Sequence, residues 1–459
     1  MPQRTRNEMR YSDVKDTIFA LSTPVGGAIS ILRASGSECY SVLKAIFSGR
    51  IAPRMLNYGK IHTVSAPVRD LDNAMAVYFP APNSYTGEDM FELNLHGSYA
   101  VAREITELLE NLGLRLADPG EFTKRAFLNG KMDLVQADAV MDLINSDTDR
   151  SADAALDQLN GGLSGRIAVI EEKLIAAASE LAAAMDYPDE MEDEVLSDSE
   201  AVLRVCVREL EKLISSGKKG RILREGAKVV IIGRPNAGKS SLMNALTGTN
   251  RAIVTDIAGT TRDTIEEKLD IAGCPVRLID TAGLRESSDT VERMGIERAR
   301  HEAETAELVI KMFDGTEIPS SYEIAELGSD GTNTLYAVNK SDICGENIEK
   351  VKNTLLEFVP EERLLVISCE TGEGLGKLTE KIAESISSGE SSGALVTNER
   401  HICCLMKAKK ELEDALAAPT TDLKALALGS ALEFLGEITG RTAGEEVIDG
   451  IFSRFCVGK

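Results

Sequence analysis

The sequence lacks the features that a membrane protein, a disulfide-rich exported protein or a zinc-binding protein requires. No run of about 18 apolar residues occurs, so no transmembrane helix and no membrane partner is expected. The 459 residues include eight cysteines without any CxxC spacing, which predicts reduced thiols in the cytoplasm. The polar, charged N-terminal stretch has no apolar core of the kind found in signal peptides, so cytoplasmic localisation is the expectation.

Positive charge is also scarce in this chain. Asp and Glu number 74 against 51 Lys and Arg, which gives a formal net charge of −23. A chain this acidic has no broad basic face, so we expect any contact with nucleic acid to be local or made with a partner's help. The acidic stretch Asp186–Glu194 is interpreted as a solvated loop between helices rather than as a metal or partner site.

Apolar periodicity divides the chain into four segments. Residues 1–128 alternate short apolar runs with turn residues, which predicts an α+β domain. Residues 129–225 and 387–459 carry apolar side chains at spacings of three and four, which predicts long amphipathic helices; one such series is Ile167, Ile170, Leu174, Ala177 and Leu181. Residues 226–386 contain short apolar runs typical of buried parallel strands with crossover helices. A helical domain split by an inserted α/β domain fits this order, and two separate helical domains fit it almost as well.

A phosphate-binding motif follows the first apolar run of the α/β segment. Residues Gly233 to Ser240 read Gly-Arg-Pro-Asn-Ala-Gly-Lys-Ser and fit GxxxxGK[ST] directly after an expected strand. The glycines let backbone N–H groups surround phosphates, Lys239 neutralises phosphate charge, and Ser240 can coordinate Mg²⁺. The pattern therefore predicts a P-loop nucleotide site.

Three further motifs favour GTP over ATP. Asn339-Lys-Ser-Asp342 follows a strand, and an aspartate can accept hydrogen bonds from both the ring N–H and the exocyclic amine of guanine. Asp280-Thr-Ala-Gly283 supplies an aspartate on the metal side and a backbone N–H for the γ-phosphate. Ser368-Cys-Glu370 follows the last strand and is expected to complete the base pocket.

The residue that orients the attacking water is not evident from these motifs. Leu284 stands where Ras-like proteins carry a glutamine. Residues 254–263 are expected to form a switch loop in which Thr261 binds Mg²⁺ and Arg262 is a candidate arginine finger. Local pairing of Arg262 with an acidic neighbour is the favoured interpretation, because such fingers usually come from a partner or a separate domain.

These motifs resemble the MnmE (TrmE) tRNA-modification GTPases, and the ends of the chain make the resemblance specific. Besides the P-loop, the matching segments in the α/β region are residues 256–263 and 280–286. Tyr85-Thr-Gly-Glu-Asp89, residues 119–131 and the terminal Phe455-Cys-Val-Gly-Lys459 match signatures that a generic GTPase does not need. The resemblance implies a multidomain α/β fold: an N-terminal α+β tetrahydrofolate-binding-like domain, a discontinuous helical domain and an inserted Ras-like P-loop GTPase domain.

The resemblance also implies an activity and its partners. Members are K⁺-activated GTPases whose G domains dimerise across the nucleotide. As a homodimer joined with an FAD-dependent MnmG (GidA)-type protein in a heterotetramer, such a protein adds a carboxymethylaminomethyl or aminomethyl group to C5 of the wobble uridine of certain tRNAs. The one-carbon unit would come from 5,10-methylenetetrahydrofolate or 5-formyltetrahydrofolate, with FAD and NADH chemistry in the partner.

Site residues follow from the same resemblance. K⁺ would be ligated by Asn236, Thr255, Ile257 and Thr260, and folate would be contacted by Arg33, Glu92, Lys131 and Lys459. Glu292 would position the attacking water, and Cys456 would have a chemical role in modification; by themselves they suggest a surface helix residue and a structural thiol. The residues expected around GTP and its Mg²⁺ are Asn236, Ala237, Gly238, Lys239, Ser240, Ser241, Thr255, Asp256, Ile257, Ala258, Gly259, Thr260, Thr261, Asp280, Thr281, Ala282, Gly283, Asn339, Lys340, Ser341, Asp342, Ser368, Cys369 and Glu370.

Other functions share the GTPase motifs. A regulatory GTPase of the Era or EngA kind, acting in ribosome assembly, would transform no small molecule and would carry a KH-like or second G domain, which this sequence does not suggest. A scaffold with a structural nucleotide is disfavoured by the complete set of phosphate, metal and base motifs. Folate binding distinguishes these alternatives.

Overall fold

The structure is a computed structural model that describes residues 16–186, 188–252, 266–280, 301–327, 331, 333–387 and 395–459. The chain separates into two compact units, one formed by residues 1–141 with 432–459 and the other by residues 142–431. No helix in the described ranges combines the length and apolar character needed to cross a bilayer. All eight cysteines are free thiols, as predicted.

The first unit is built on a sheet with strand order β3-β4-β5-β2-β1-β6. Neighbouring strands run antiparallel except for the parallel pair β1 and β6. The strands are β1 (Ile18–Leu21), β2 (Ile29–Ser35), β3 (Asn57–His62), β4 (Asp70–Phe79), β5 (Met90–His96) and β6 (Arg115–Leu116). The helices are α1 (Cys39–Ile46), α2 (Tyr99–Asn111), α3 (Glu121–Leu128) and, near the end of the chain, α14 (Glu445–Phe452).

One face of this sheet forms the core of the unit. Alternate residues of β2 and β5, among them Leu32, Phe91 and Leu93, are buried against α1 and α2. In a separate apolar cluster, Phe452 and Phe455 pack with Phe127 and so attach α14 to α3. The C-terminal segment is therefore part of the N-terminal unit.

A buried ion network also stabilises the first unit. The Arg125 side chain is only 8% exposed and pairs with Asp16 at 2.8 Å, Glu88 at 3.1 Å and Glu121 at 2.9 Å. Burial acts to lower the pKa of Arg125, but the carboxylates of Glu88 and Glu121 outweigh it and raise that pKa. The network joins the segment before β1, the loop before β5 and α3.

The second unit contains a sheet with strand order β13-β12-β11-β7-β10-β9-β8. The five strands from β13 to β10 are parallel, and β9 and β8 run antiparallel at one edge. The strands are β7 (Ala227–Gly233), β8 (Arg251–Ala252), β9 (Glu266–Ile271), β10 (Cys274–Asp280), β11 (Leu308–Asp314), β12 (Thr334–Asn339) and β13 (Leu364–Val366).

The helices of this part of the chain both cover the sheet and extend away from it. They are α4 (Leu134–Ile144), α5 (Asp149–Leu159), α6 (Gly162–Asp186), α7 (Pro188–Glu225), α8 (Lys239–Thr249), α9 (Ser321–Leu327), α10 (Asn347–Leu356), α11 (Leu375–Ser387), α12 (Glu399–Ala417) and α13 (Thr421–Thr439). A short 3₁₀ helix, Glu361–Arg363, precedes β13. Helices α4 and α13 cross the boundary between the two units.

Helix α7 leads directly into the sheet and packs against both α6 and α12. Its last turn places Ile222 and Leu223 in the same apolar cluster as Val229 and Leu278 of the sheet. Helices from before and after the α/β segment therefore pack together, which supports one helical domain split by an insertion.

The predicted fold class is confirmed, whereas one local prediction is wrong. All the strands expected from apolar runs are present, and Ile167, Ile170, Leu174, Ala177 and Leu181 of α6 are buried as their spacing predicted. The loop expected over Asp186–Glu194 is instead mostly helical, because α7 begins at Pro188. Proline is favoured at the first helical position, and acidic residues in the first turn are favoured by the helix dipole. The boundaries at 128, 225 and 386 stay predictions.

The close approach of α7 to the segment after α11 generates a stability prediction. A Cβ added to Gly220 would lie 2.1 Å from the carbonyl oxygen of Val396, whereas one added to Gly165 in α6 would have no heavy atom within 4 Å. We expect Gly220→Ala to lower the unfolding free energy by about 2–3 kcal/mol, and Gly165→Ala to raise it by about 0.5–1 kcal/mol. Thermal and urea midpoints of the two variants provide the measurement, and equal midpoints would contradict the packing described here.

Candidate functional site

The P-loop lies between β7 and α8, as the motif requires. Gly238 precedes α8 with φ +98°, a left-handed conformation that lets the chain turn into the helix. The Lys239 ammonium donates to the carbonyl oxygens of Gly233 at 2.7 Å and Arg234 at 2.8 Å, so it lies inside the loop. The loop and the helix N-terminus direct N–H groups and one positive charge to the same place, which suits a bound phosphate.

Ser240 and Asp280 meet at the carboxyl end of the sheet. The Ser240 hydroxyl donates to Asp280 Oδ2 at 2.8 Å, and Asp280 pairs in parallel register with Ile231 of β7. A hydroxyl and a carboxylate beside a phosphate site are oxygen donors that suit Mg²⁺. Within the described ranges no group of three His, Cys, Asp or Glu side chains could hold a metal ion by itself.

Part of the predicted site lies outside the described residues. This applies to Thr255, Asp256, Ile257, Ala258, Gly259, Thr260, Thr261, Arg262, Thr281, Ala282, Gly283, Leu284 and Glu292. The predicted ion ligand Asn236 is among the described residues: it is exposed at the tip of the P-loop with φ +67°.

Asn339 connects the phosphate and base ends of the site. Its side chain is buried, its amide Nδ2 donates to the carbonyl oxygen of Ala237 at 3.0 Å, and its Oδ1 accepts from the N–H of Cys369 at 3.1 Å. One carboxamide therefore ties the P-loop, the NKSD segment and the Ser368-Cys-Glu370 segment together. That the Ser368-Cys-Glu370 segment completes a base pocket stays a prediction.

Asp342, the aspartate predicted to bind guanine, is held by the segment that follows β13. The buried Ser368 hydroxyl donates to Asp342 Oδ1 at 2.6 Å and accepts from the N–H of Thr371 at 3.1 Å. Ser341, beside Asp342, donates to Glu373 at 3.1 Å. Burial, together with the charge of Asp342, raises the pKa of Cys369 to about 11, so this thiol is neutral beside the base site. Glu370 is exposed at the rim.

A second candidate site lies on the sheet of the first unit. Arg33 of β2 and Glu92 of β5 are paired in register and joined by an ion pair of 2.8 Å, with about a fifth of each side chain exposed. The Arg33 guanidinium also lies 5.5 Å from the ring centre of Tyr85 and 5.9 Å from that of Phe122. A cation between two aromatic rings, next to a carboxylate, can bind both a carboxylate and a heterocycle with donor groups.

The last residues of the chain dock beside this pair. The carbonyl oxygen of Lys459 accepts from the N–H of Phe122 at 3.2 Å, and that of Cys456 accepts from the N–H of Gly120 at 3.3 Å. The Ser22 hydroxyl donates to the carbonyl oxygen of Gly458 at 3.2 Å. The tail therefore reaches the helix that supports Arg33, and the Cys456 residue stays exposed.

Lys131 is also connected to this site through the loop before β5. Its ammonium donates to the carbonyl oxygen of Pro82 at 3.1 Å, in the same loop that carries Tyr85. Lys131 thus contacts the loop that carries Tyr85, and the Lys459 backbone contacts α3; that the four residues bind folate stays a prediction.

Sequence reasoning missed several supporting residues. The Tyr85 hydroxyl is hydrogen-bonded to that of Thr123 at 2.9 Å, and burial raises the pKa of Tyr85. Tyr85, Phe122 and Thr123 all lie in the segments that matched family signatures. The sequence therefore marked these residues but did not indicate what they do. Asp314, which pairs with Lys340, lies in no motif and had no such signal.

Comparisons with known proteins show the family to which the chain belongs. The family model described as the MnmE helical domain matches residues 134–456, and the one described as the GTP-binding protein TrmE N-terminus matches residues 17–131. The chain belongs to the MnmE family. The tRNA modification GTPase MnmE of Ligilactobacillus salivarius is 41% identical over 97% of this chain and 98% of its own length. That of Natranaerobius thermophilus is 40% identical over 97% of this chain and its entire length.

Membership of the MnmE family confirms the predicted enzyme class, a GTP hydrolase of tRNA modification. Among solved structures, Aquifex aeolicus Era bound to GDP and AlF₄⁻ is similar, at 25% identity and a TM-score of 0.30 over 40% of this chain and 66% of that one.

The tight contact between the P-loop and Asn339 generates a binding prediction. A Cβ on Gly238 would lie 2.1 Å from Asn339 Nδ2, and the positive φ would strain any other residue. We expect Gly238→Ala to weaken GDP binding at least about thirtyfold, because strain and a lost hydrogen bond add. Gly248→Ala in α8, where a Cβ meets nothing within 4 Å, is the matched control and keeps wild-type affinity. Isothermal titration calorimetry measures both, and unchanged binding by Gly238→Ala would refute the geometry.

Proposed function

We propose that this chain is a K⁺-activated, dimerisation-dependent GTPase of the cytoplasm that modifies tRNA together with an FAD-dependent MnmG (GidA)-type partner. The pair adds a carboxymethylaminomethyl or aminomethyl group to C5 of the wobble uridine of certain tRNAs. Bound folate supplies the one-carbon unit, and NADH and FAD act in the partner. The names of its relatives, tRNA modification GTPases, support the tRNA substrate.

The observation that carries the proposal is the convergence of distant segments on the Arg33–Glu92 pair. The C-terminal tail docks on α3, more than 300 residues earlier in the chain, and α3 supplies the Phe122 ring beside Arg33. A GTPase that only times a binding event has no need of such a site. Arginine suits the glutamyl carboxylates of folate, and the Glu92 carboxylate suits the amino and ring N–H groups of the pterin.

The exposed surface of the first unit supports the homodimer. On the sheet face away from α1 and α2, Tyr58 and Met75 are neighbours in register and both are exposed. Ile29 is 62% exposed and Tyr99 is 75% exposed. Neighbouring exposed apolar side chains such as Tyr58 and Met75 mark an interaction site more often than a solvent face, and a second copy of the chain is the proposed occupant.

The net charge of −23 supports a division of labour with the partner. Tight binding of tRNA needs several Lys or Arg contacts with phosphate, so we assign most of the tRNA surface to the partner and only local contacts to this chain. Cys456, as an exposed thiol on the docked tail, is available for chemistry at the folate site.

The nucleotide site supports the GTPase half of the proposal. Lys239, Ser240 and Asp280 would hold the phosphates and Mg²⁺, and Asp342 would bind guanine. Asn236, on the exposed tip of the P-loop, has a side-chain oxygen of the type that K⁺ prefers. Thr255, Ile257 and Thr260 as further ion ligands and Glu292 as the water-positioning residue complete this part of the proposal.

Ion activation is tested by GTP turnover in KCl and NaCl at equal ionic strength. We expect K⁺ to stimulate the wild type at least about tenfold, because a cation near the transferring phosphoryl group stabilises developing charge. Asn236→Gly removes the ligand without straining the positive φ and should lose this stimulation. Asn353→Ala, at an exposed position of α10, should retain it. Equal wild-type rates in both salts would refute the ion site.

Folate binding is tested by calorimetry with 5-formyltetrahydrofolate, since the chain has no tryptophan to report binding by fluorescence. We expect Arg33→Met to weaken binding about tenfold or more, because a charge-assisted hydrogen bond is lost. Arg69→Met removes an exposed arginine of the same unit and should bind normally. A wild type that does not bind folate would favour a regulatory GTPase of the Era or EngA kind.

A further inference from the structure

A carboxylate outside the nucleotide motifs holds the lysine of the NKSD segment. Asp314 is the last residue of β11 and pairs in register with Asn339 of β12. Its Oδ2 accepts from the Lys340 ammonium at 2.6 Å, and the two side chains are 20% and 29% exposed. This ion pair lies at the sheet edge that carries the base-binding segments.

Asp314 is itself held firmly in place. Its Oδ1 accepts from the N–H of Thr316 at 2.9 Å and from the Thr316 hydroxyl at 2.6 Å. Partial burial acts to raise the pKa of Asp314, but the hydrogen bonds from Lys340 and Thr316 outweigh it, so the pKa lies below its ordinary value. The carboxylate is therefore charged at neutral pH and fixed on both oxygens.

Lys340 occupies a conformation that needs support. Its φ is +71°, and the left-handed region costs a residue with a Cβ about 1 kcal/mol. The N–H of Ile343 donates to the Lys340 carbonyl oxygen at 3.1 Å, and the Cys344 thiol also donates to it. The turn closed in this way carries Asp342, the base-reading residue.

Asp342 is the other carboxylate of this turn and lies only two residues from Lys340. Its Oδ1 already accepts from Ser368, so the remaining acceptor positions are those available to guanine. An ammonium group released from Asp314 would be attracted to Asp342, because unlike charges attract more strongly at a partly buried site than in bulk water. Pairing with Lys340 would occupy the acceptors that bind the guanine amine and ring N–H.

We propose that Asp314 is a positioning residue for guanine recognition, which holds the Lys340 ammonium away from Asp342. It acts through Lys340 and needs no contact with the nucleotide. The inference requires a guanine nucleotide site but not K⁺, folate, tRNA or a second protein, so it stands or falls separately from the rest of the proposed function.

The test compares GDP with inosine diphosphate, which lacks the exocyclic amine, as ligands of the full-length chain in a sodium buffer with Mg²⁺. The informative quantity is the ratio of the two dissociation constants, because a change in phosphate binding affects both ligands equally. We expect Asp314→Asn to reduce the preference for GDP about tenfold, the typical effect of losing a hydrogen bond to a charged group. An unchanged preference would overturn the proposal.

The double variant separates positioning from a structural role. Lys340→Met keeps the methylene chain but removes the charge that could compete for Asp342. Because Lys340 is also among the residues expected around GTP, the ratio of dissociation constants measured for this single variant is the reference for the double variant. The double variant, which combines Asp314→Asn and Lys340→Met, should recover most of the preference for GDP that Asp314→Asn alone loses. A double variant as unselective as Asp314→Asn, or less selective, would overturn the proposal.

A matched control lies at the other end of the same strand. Glu307, directly before β11, pairs with Arg221 at 2.8 Å and has a side chain that is 14% exposed. Glu307→Gln also removes a half-buried ion pair, yet it should leave the preference for GDP at its wild-type value. The thermal unfolding midpoints of the unliganded variants are also measured, to compare their stability. If Glu307→Gln reduces the preference as much as Asp314→Asn does, loss of stability explains the effect and the proposal fails.

Discussion

The nucleotide site depends on one buried carboxamide. Asn339 donates to the P-loop with one atom and accepts from the segment after β13 with the other, so neither end of the site can shift alone. A buried amide that lost either partner would carry an unsatisfied polar group, at a cost of about 1–3 kcal/mol. The parallel sheet makes this junction possible, because its strands deliver all three segments to their carboxyl ends.

The sequence was informative where chemistry requires a fixed pattern. Phosphate geometry constrains the residue types of Gly233 to Ser240, and the hydrogen-bonding groups of guanine constrain those of Asn339 to Asp342. Helical periodicity likewise allowed the buried positions of α6 to be predicted. The motifs near the N-terminal end of the chain also contain Tyr85 and Phe122, whose rings lie beside Arg33, although the sequence attached no role to them.

Other features depend on tertiary contacts that leave no local pattern. Strands β3 and β9 were not predicted, since their polar residues mask the alternation until a neighbouring strand covers one face. The acidic stretch after α6 was expected to be a loop, because charge outweighed the helix-starting signal of Pro188 in that interpretation. The role of Asp314 cannot be predicted from the sequence, because it depends on the register of β11 with β12 that places Asp314 beside Asn339.

The apolar cluster at the end of α7 has a consequence for dissecting the protein. Because Ile222 and Leu223 are buried with the strands of the GTPase sheet, a fragment starting at Gly226 would leave their partners uncovered. Loss of each of these side chains removes about 1.5–3 kcal/mol of stabilising free energy from burial. It also exposes an apolar surface that promotes self-association. An autonomous GTPase fragment should therefore retain the last two turns of α7, so the soluble unit begins within the helix and not at the first strand.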